Sequence, residues 1–254
     1  MNTWILLRGL TREARHWGDF PALFAREIPG ANVVPVDLPG NGRYNHMASP
    51  ASIETMVEHC RAELARQHLL PPHCLFAMSM GAMVAAAWAE RYPAEIERCV
   101  LVNSSFANFN ALHQRLRMRA WPALLRIALA RDPQRKEARI LALTSNRQRT
   151  PASLIEEWTG IRKLAPVSAM NTIRQLFAAA RFRAPARLPV PMLLLGSEGD
   201  QLVDVASTGE IARRWRCPQA LHPDAGHDLS LDDGLWVAMQ IRRWLAARES
   251  IRKL

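Results

Sequence analysis

The sequence has no uninterrupted apolar run of the roughly 18 to 20 residues that a membrane-spanning helix needs. Its first ten residues, MNTWILLRGL, have no basic cluster ahead of their short apolar stretch, so they are not typical of a secretory signal. We interpret that stretch as a first β-strand instead. The expectation from these two absences is a cytoplasmic protein without a membrane span.

Cysteine is scarce and shows no paired spacing. The four cysteines are Cys60, Cys74, Cys99 and Cys217. Because no CxxC motif is present, reduced and buried thiols are favoured over a disulfide framework or a zinc site. His222 and His227 lie five positions apart, but a proline and a glycine between them argue against one helical metal face. We therefore expect no bound metal and no cofactor.

Acidic residues are rare in one internal segment. From Ser104 to Arg187 the chain has 14 arginines and two lysines against four acids, whereas the remainder has slightly more acids than bases. With only three lysines in the whole chain, the arginines can simply form a solvated face. The alternative is that this segment docks an anionic partner. Nucleic acid is not expected, because no recognisable binding module accompanies the charge.

Apolar runs alternate with helical segments along most of the chain. The hydrophobic content of 49% can fill a sizeable core, and 254 residues suffice for one domain with an insertion. The alternation predicts an open, mostly parallel sheet with helices on both faces. Pro35 inside the second run favours an edge position for that strand. The predicted strands lie near residues 3–7, 32–36, 74–78, 97–102, 192–195 and 217–221.

The alternation stops between Phe106 and Phe182, where we predict only helices. They lie near residues 109–119, 121–131, 133–145, 151–163 and 167–181. The prediction is an all-helical cap at residues 106–187 over the carboxyl ends of the strands, where such sheets bind ligands. The core domain would then comprise residues 1–105 and 188–254.

Ser79 lies between a predicted strand and a predicted helix. Ala77 and Gly81 flank it in a small-x-Ser-x-small pattern, which is typical of a tight turn that presents a nucleophilic hydroxyl. The N–H of Met80 would then lie at a helix N-terminus, where it can stabilise an oxyanion. The structural alternative is a serine that caps an ordinary buried helix.

Two loops after later strands carry an acid and a histidine. The order Ser79, Asp200, His227 is found in α/β-hydrolases and differs from the order in the other serine-hydrolase folds. A neutral imidazole can accept the serine proton, and a carboxylate fixes its tautomer and stabilises the imidazolium. Asp204 is a close rival for the acid, and Glu198 is less favoured. For His227 the alternative is an ordinary loop histidine.

Over nearly its full length the chain resembles cap-bearing serine hydrolases of the α/β-hydrolase superfamily. The motifs that carry the resemblance are residues 77–81 (AMSMG), 37–43 (DLPGNGR), 196–200 (GSEGD) and 226–227 (GH). The resemblance implies an α/β-hydrolase fold of about six strands. The N-terminal hairpin would be absent, since Trp4 to Leu7 already matches the third strand of the full fold. It also implies that the backbone N–H of Leu10 is a second oxyanion donor beside that of Met80.

Arg8 replaces the histidine that usually precedes Gly9 in this family. Its guanidinium can bind a substrate carboxylate or pair with a nearby acid, and both possibilities stay open. Met78, Trp121 and Trp158 are candidates to line an acyl pocket. Apolar residues at helical spacing are more often simply part of the core, which is the alternative for these three.

Ser79 in place of a nucleophilic aspartate favours a serine hydrolase that cleaves a carboxylic ester or a thioester through an acyl-enzyme. The small sheet and basic cap are similar to pimeloyl-carrier methyl ester esterases, in which cap arginines hold an acyl carrier. That resemblance implies an acidic acyl carrier protein as partner, with Arg135 and Arg139 as candidate contacts. The alternatives are a C–C bond hydrolase with the same triad and a non-catalytic binding protein of this fold.

Overall fold

The computed structural model describes residues 2–147 and 151–252. The predicted domains also include residues 1, 148–150, 253 and 254, which lie outside these ranges. Within the described residues, six strands form one parallel sheet in the order β2-β1-β3-β4-β5-β6. The strands are β1 (Asn2–Leu7), β2 (Ala31–Val36), β3 (His73–Met78), β4 (Ile96–Val102), β5 (Met192–Ser197) and β6 (Gln219–His222). The predicted parallel sheet is confirmed, and Pro35 lies in an edge strand as expected.

Helices of the described chain flank the sheet and fill the long connection between β4 and β5. They are α1 (Phe20–Glu27), α2 (Ile53–Arg66), α3 (Met80–Arg91), α4 (Leu112–Arg115), α5 (Trp121–Ala128), α6 (Pro133–Thr144), α7 (Ala152–Leu164), α8 (Ala169–Arg181), α9 (Ala206–Trp215), α10 (Leu229–Asp232) and α11 (Gly234–Arg252). No helix in the described ranges combines the length and the hydropathy that a bilayer crossing requires.

Strand β1 shows why the central strands are apolar at nearly every position. Ile5 and Leu7 pack in the core layer that contains α2, α3 and α9. Trp4 and Leu6 point to the other face and pack in the layer that contains α1 and α11. Since side chains alternate between the two faces of a strand, covering both faces requires a continuous apolar run.

We call α4 to α8 the helical insertion. Helix α4 is much shorter than the predicted helix at 109–119, whereas the later helices begin and end within a few residues of their predictions. Asp132 and Ser168 cap α6 and α8 by accepting backbone N–H groups of the first turn. Pro122 and Pro133 lie in first turns, where a missing N–H costs nothing. The exact domain boundaries at residues 106 and 187 stay a prediction.

Candidate active site

Ser79 occupies the sharp turn between β3 and α3. Its φ of 54° and ψ of −120° are unusual for a residue with a side chain and require support from neighbouring groups. The Ser79 N–H donates to the carbonyl of Val102 at 2.9 Å. The hydroxyl of Ser104 donates to the carbonyl of Ser79 at 3.1 Å. The end of β4 therefore holds the turn in this conformation.

Two glycines let the loop after β1 approach this turn. A Cβ on Gly81 would lie 2.5 Å from the carbonyl oxygen of Leu7, so only glycine fits there. A Cβ on Gly9 would lie 3.0 Å from the Cβ of Ser79. The backbone that leads from Gly9 into Leu10 therefore runs directly beside the serine.

The N–H groups of Leu10 and Met80 are free donors near Ser79. Among the described residues, neither N–H has a hydrogen-bond acceptor. Met80 is the first residue of α3, where backbone N–H groups have no partner within the helix. Two such donors beside a nucleophile can stabilise the charge of a tetrahedral intermediate.

Asp200 is the acid that contacts the histidine. Its Oδ2 lies 2.7 Å from Nδ1 of His227, and both side chains are buried. Its Oδ1 accepts the N–H groups of Leu202 at 2.7 Å and Val203 at 3.0 Å, which orient the carboxylate. The rival Asp204 instead accepts the N–H of its own helix start and pairs with Arg117. The structure thus separates the two candidate acids.

His227 is electrostatically coupled to Asp200. Burial alone lowers the pKa of His227, but the charge of Asp200 and the hydrogen bond to it outweigh burial, so the pKa is raised. A proton on Nδ1 faces Asp200 and leaves Nε2 able to accept a proton. No hydrogen bond joins His227 to Ser79 in the described chain, and in free enzymes this contact is often long.

Asn103, which follows β4, joins the loops of Ser79 and His227 and was not singled out from the sequence. Its Nδ2 donates to the carbonyl of His227 at 2.9 Å, and its Oδ1 accepts the N–H of Ser197 at 2.9 Å. Its neighbour Val102 holds Ser79, so two consecutive residues position the serine turn and the histidine loop side by side. The sequence signal that could have pointed to Asn103 is its position at the carboxyl end of a predicted strand, where such sheets bind ligands.

Asn146, between α6 and α7, bridges the acid loop and the histidine loop. Its Nδ2 donates to the carbonyls of Gly199 and Asp224, each at 2.9 Å. Its Oδ1 accepts from Nε2 of Gln201 at 3.1 Å, and its N–H donates to Asp232 at 2.8 Å. The helical insertion therefore contacts both loops directly, which no local sequence pattern indicated.

Arg8 is buried and forms a bidentate ion pair with Asp228. Its Nη1 and Nη2 donate to the two carboxylate oxygens at 3.1 and 2.6 Å, and the guanidinium lies 4.5 Å from the ring of Trp17. Burial raises the pKa of Asp228, but the charge and hydrogen bonds of Arg8 outweigh it and lower that pKa. Of the two possibilities for Arg8, the structure has the ion pair. One N–H of each terminal nitrogen is engaged by Asp228, and substrate binding by Arg8 stays a prediction.

The other predicted substrate-binding residues are dispersed. Met78 is buried in the core layer of α1 and α11, and Trp158 is buried against the guanidinium of Arg12. Trp121 is 56% exposed on α5, so it does not join them in an enclosed acyl pocket. Arg135 and Arg139 lie exposed on α6.

Comparison with known proteins gives the family and the fold. The model of the alpha/beta hydrolase family matches residues 4–240. Similar solved structures include a putative lipase from Acinetobacter baumannii (21% identity, 98% of this chain, 85% of that chain, TM-score 0.77). An esterase from Exiguobacterium antarcticum has 14% identity, 97% and 92% coverage and a TM-score of 0.79. A putative non-heme bromoperoxidase from Mycobacterium tuberculosis has 19% identity, 97% and 92% coverage and a TM-score of 0.75.

A search of curated proteins finds no match for this sequence. The identities to the solved structures are low, so those structures establish the fold and leave the substrate open. The family model spans nearly the whole chain. The chain therefore belongs to the alpha/beta hydrolase family.

Proposed function

We propose that the protein is a serine hydrolase that cleaves a carboxylic ester or a thioester through an acyl-enzyme. The observation that carries the proposal is the buried 2.7 Å contact between Asp200 and His227 on the sheet edge that also holds Ser79. A strained serine with free N–H groups beside it suits nucleophilic attack on an acyl carbon. A cytoplasmic location is part of the same proposal.

The proposed reaction has two halves. Ser79 Oγ attacks the acyl carbon while Nε2 of His227 takes its proton, and Asp200 stabilises the imidazolium. The N–H groups of Leu10 and Met80 hold the oxyanion. The imidazolium then gives its proton to the departing alcohol or thiol. Water attacks the acyl-enzyme in the second half, with His227 again as the base.

An acidic acyl carrier protein is the proposed partner of this hydrolase. Arg135 and Arg139 are exposed on α6, and neither forms an ion pair within the described residues, which supports an anionic partner. Charge reversal at both positions should then weaken activity on carrier-bound acyl groups and reduce its dependence on salt. Unchanged activity and salt dependence would exclude this partner.

The hydrolase proposal is tested with p-nitrophenyl acyl esters and acyl thioesters of several chain lengths. Ser79→Ala should lower kcat by at least roughly 10⁴-fold, because the nucleophile is removed. Ser153→Ala, at an exposed serine of α7, is the matched control and should keep full activity. Hydrolysis of vinylogous diketones but not of esters would instead favour a C–C bond hydrolase. Full ester hydrolysis by Ser79→Ala would refute the mechanism.

A further inference from the structure

Helix α5 presents an apolar face outward. None of its residues is buried. Trp121, Leu125 and Leu129 are spaced by four, so they lie on one side of the chain, and they are 56%, 60% and 71% exposed. Met118, just before the helix, is also exposed. An amphipathic helix normally packs such a stripe against the core, so this one has no partner within the described fold.

Arginines without acidic partners surround this stripe. Residues 112–139 contain seven arginines and one lysine but only two acids. One of the acids, Glu137, is fully buried and pairs with Arg12 and Arg162. Within the described chain, no ion pair involves the exposed arginines of this stretch, which are Arg119, Arg126, Arg131, Arg135 and Arg139. We call the exposed residues 118–135 the apolar-cationic surface.

Helix α8 has the same character. Met170, Ile173 and Phe177 are exposed on one side of it, and residues 158–197 contain no acid. Arg115 of α4 donates to the carbonyl of Ala179 at 2.8 Å, which joins the end of α8 to the stretch before α5. Apolar and positively charged groups therefore extend over more than one helix of the insertion.

The apolar-cationic surface adjoins the loop of the catalytic acid. The N–H of Arg117 donates to the carbonyl of Leu202 at 2.8 Å. The guanidinium of Arg119 donates to the carbonyl of Asp200 at 3.4 Å. A large assembly bound to this surface would therefore lie close to the entrance of the proposed active site.

We propose that the apolar-cationic surface binds the headgroup region of an anionic lipid bilayer, and that the enzyme cleaves acyl esters of lipids there. A bilayer interface supplies both components together, anionic groups for arginines and an apolar boundary for tryptophan and leucine. An acidic protein supplies the charge but not a continuous apolar layer for the exposed stripe. The substrate class rests on the proposed hydrolase function, whereas the docking does not.

Docking is measured by flotation with vesicles of phosphatidylglycerol and phosphatidylcholine in equal amounts, using Ser79→Ala to prevent hydrolysis. Vesicles of phosphatidylcholine alone are the uncharged control, and the binding is repeated at several salt concentrations. We expect binding to the mixed vesicles that is at least tenfold stronger than to phosphatidylcholine and that weakens with salt. Absence of binding to the mixed vesicles would overturn the proposal.

Matched variants locate the contact. Leu125→Asp should weaken vesicle binding roughly tenfold or more, because a charge replaces an inserted apolar group. Leu70→Asp is its control. Leu70 is 82% exposed, but it precedes β3 and so lies near the amino ends of the strands, away from the proposed active site. Combined Arg126→Gln and Arg131→Gln should weaken binding about 30-fold. Their control is Arg243→Gln on the exposed side of α11.

Three outcomes would overturn the lipid proposal. The protein does not bind the vesicles, the test and control variants weaken vesicle binding equally, or the protein binds a purified acidic acyl carrier protein but not the vesicles. Measurements of ester hydrolysis distinguish a failure of the lipid proposal from a failure of the proposed hydrolase function. The ratio of hydrolysis of vesicle-borne esters to that of monomeric esters should fall in Leu125→Asp. A protein without hydrolase activity would cleave neither ester and would still float with the vesicles.

Discussion

The inner and outer faces of the helical insertion have opposite chemistry although they belong to the same arginine-rich stretch. On the inner face, Glu137, Asn146 and Gln175 reach polar groups of the core and are hydrogen-bonded there. On the outer face, Leu125 and Arg126 are exposed, and in the described part of the chain no acid pairs with that arginine. The inner face docks the insertion, and the outer face is open to a partner.

Gln175 shows how the inner face specifies one docking geometry. Its Oε1 accepts the N–H of Thr11 at 2.9 Å, and its Nε2 donates to Asn41 at 2.8 Å and to Ser49 at 2.9 Å. A buried amide with these partners is stabilised only in this register, because any shift leaves polar groups unsatisfied. The insertion is thus held in one position over the carboxyl ends of the strands.

Arginines of the same charge have different roles on the two faces. Arg12 and Arg162 carry the same charge as Arg126 and Arg131, yet the first two neutralise a buried carboxylate. Only the exposed pair is available for an external anion. A count of charges along the sequence cannot separate these two groups, whereas the contacts of each side chain can.

The proposed active site below the inner face is where a substitution should have the largest effect. Asp200→Asn should lower kcat by about 10⁴-fold, because the amide favours the wrong imidazole tautomer. Activity requires neutral His227, so it rises with pH through the raised pKa of that group. Loss of the Asp200 charge should lower this pKa and move the acid limb of kcat/KM to lower pH.

The control for that profile is Asp204→Asn, which removes the rival acid. It should keep most of the activity and the position of the acid limb, because Asp204 pairs with Arg117 and does not contact His227. A kcat loss in Asp204→Asn as large as that in Asp200→Asn would contradict the assignment.

Glu137→Gln tests whether the ion pairs of the inner face stabilise the fold. It should lower the free energy of unfolding by about 3–5 kcal/mol, since Arg12 would be left buried and Arg162 partly buried without a counter-charge. Urea denaturation followed by tryptophan fluorescence gives the value. A cost no larger than that of an exposed substitution would mean that the ion pairs do not hold the insertion.

Asn146→Ala tests whether the insertion positions the loops of Asp200 and His227. We expect kcat/KM to fall roughly 10- to 100-fold, because small displacements of catalytic groups are costly. The acid limb of the pH profile should move as well, which a loss of stability alone would not cause. Gln134→Ala, exposed on α6, serves as the control. Reduced thermal stability with an unchanged kcat/KM and pH profile would assign Asn146 a purely structural role.

Arg139→Gln on the outer face should have the smallest effect. Among the described residues, its guanidinium donates only to the carbonyl of Arg126, at 2.6 Å and at an exposed position. The midpoint of thermal unfolding should stay within about 2 °C of wild type by differential scanning calorimetry, as for most surface substitutions. A clearly larger shift would show that the outer face contributes to folding and would weaken the contrast between the faces.

Sequence patterns predicted the sheet and the catalytic candidates for a physical reason. Parallel strands covered on both faces give continuous apolar runs, and their carboxyl ends meet at one edge. Ser79 and Asp200 each follow such a run, and His227 follows the short edge strand β6, so their common location could be inferred before any coordinates. The edge position of β2 followed similarly from Pro35.

Contacts between distant loops could not be predicted in this way. Arg8 and Asp228 are 220 positions apart, and their ion pair depends on how two irregular loops lie at the sheet edge. The bridge from Asn146 depends on the docking of the whole insertion. Local periodicity contains no information on either arrangement, which is why Arg8 had two interpretations and Asn146 none.

Labelling with a fluorophosphonate, read by intact mass and peptide mapping, shows whether Ser79 is an activated nucleophile. An activated serine reacts with this probe, whereas an ordinary hydroxyl does not. We expect one adduct on Ser79 in wild type, none in Ser79→Ala, and an undiminished adduct in Ser153→Ala. A folded wild-type protein that gains no adduct, or gains it at another residue, would contradict the assignment of Ser79 as the nucleophile.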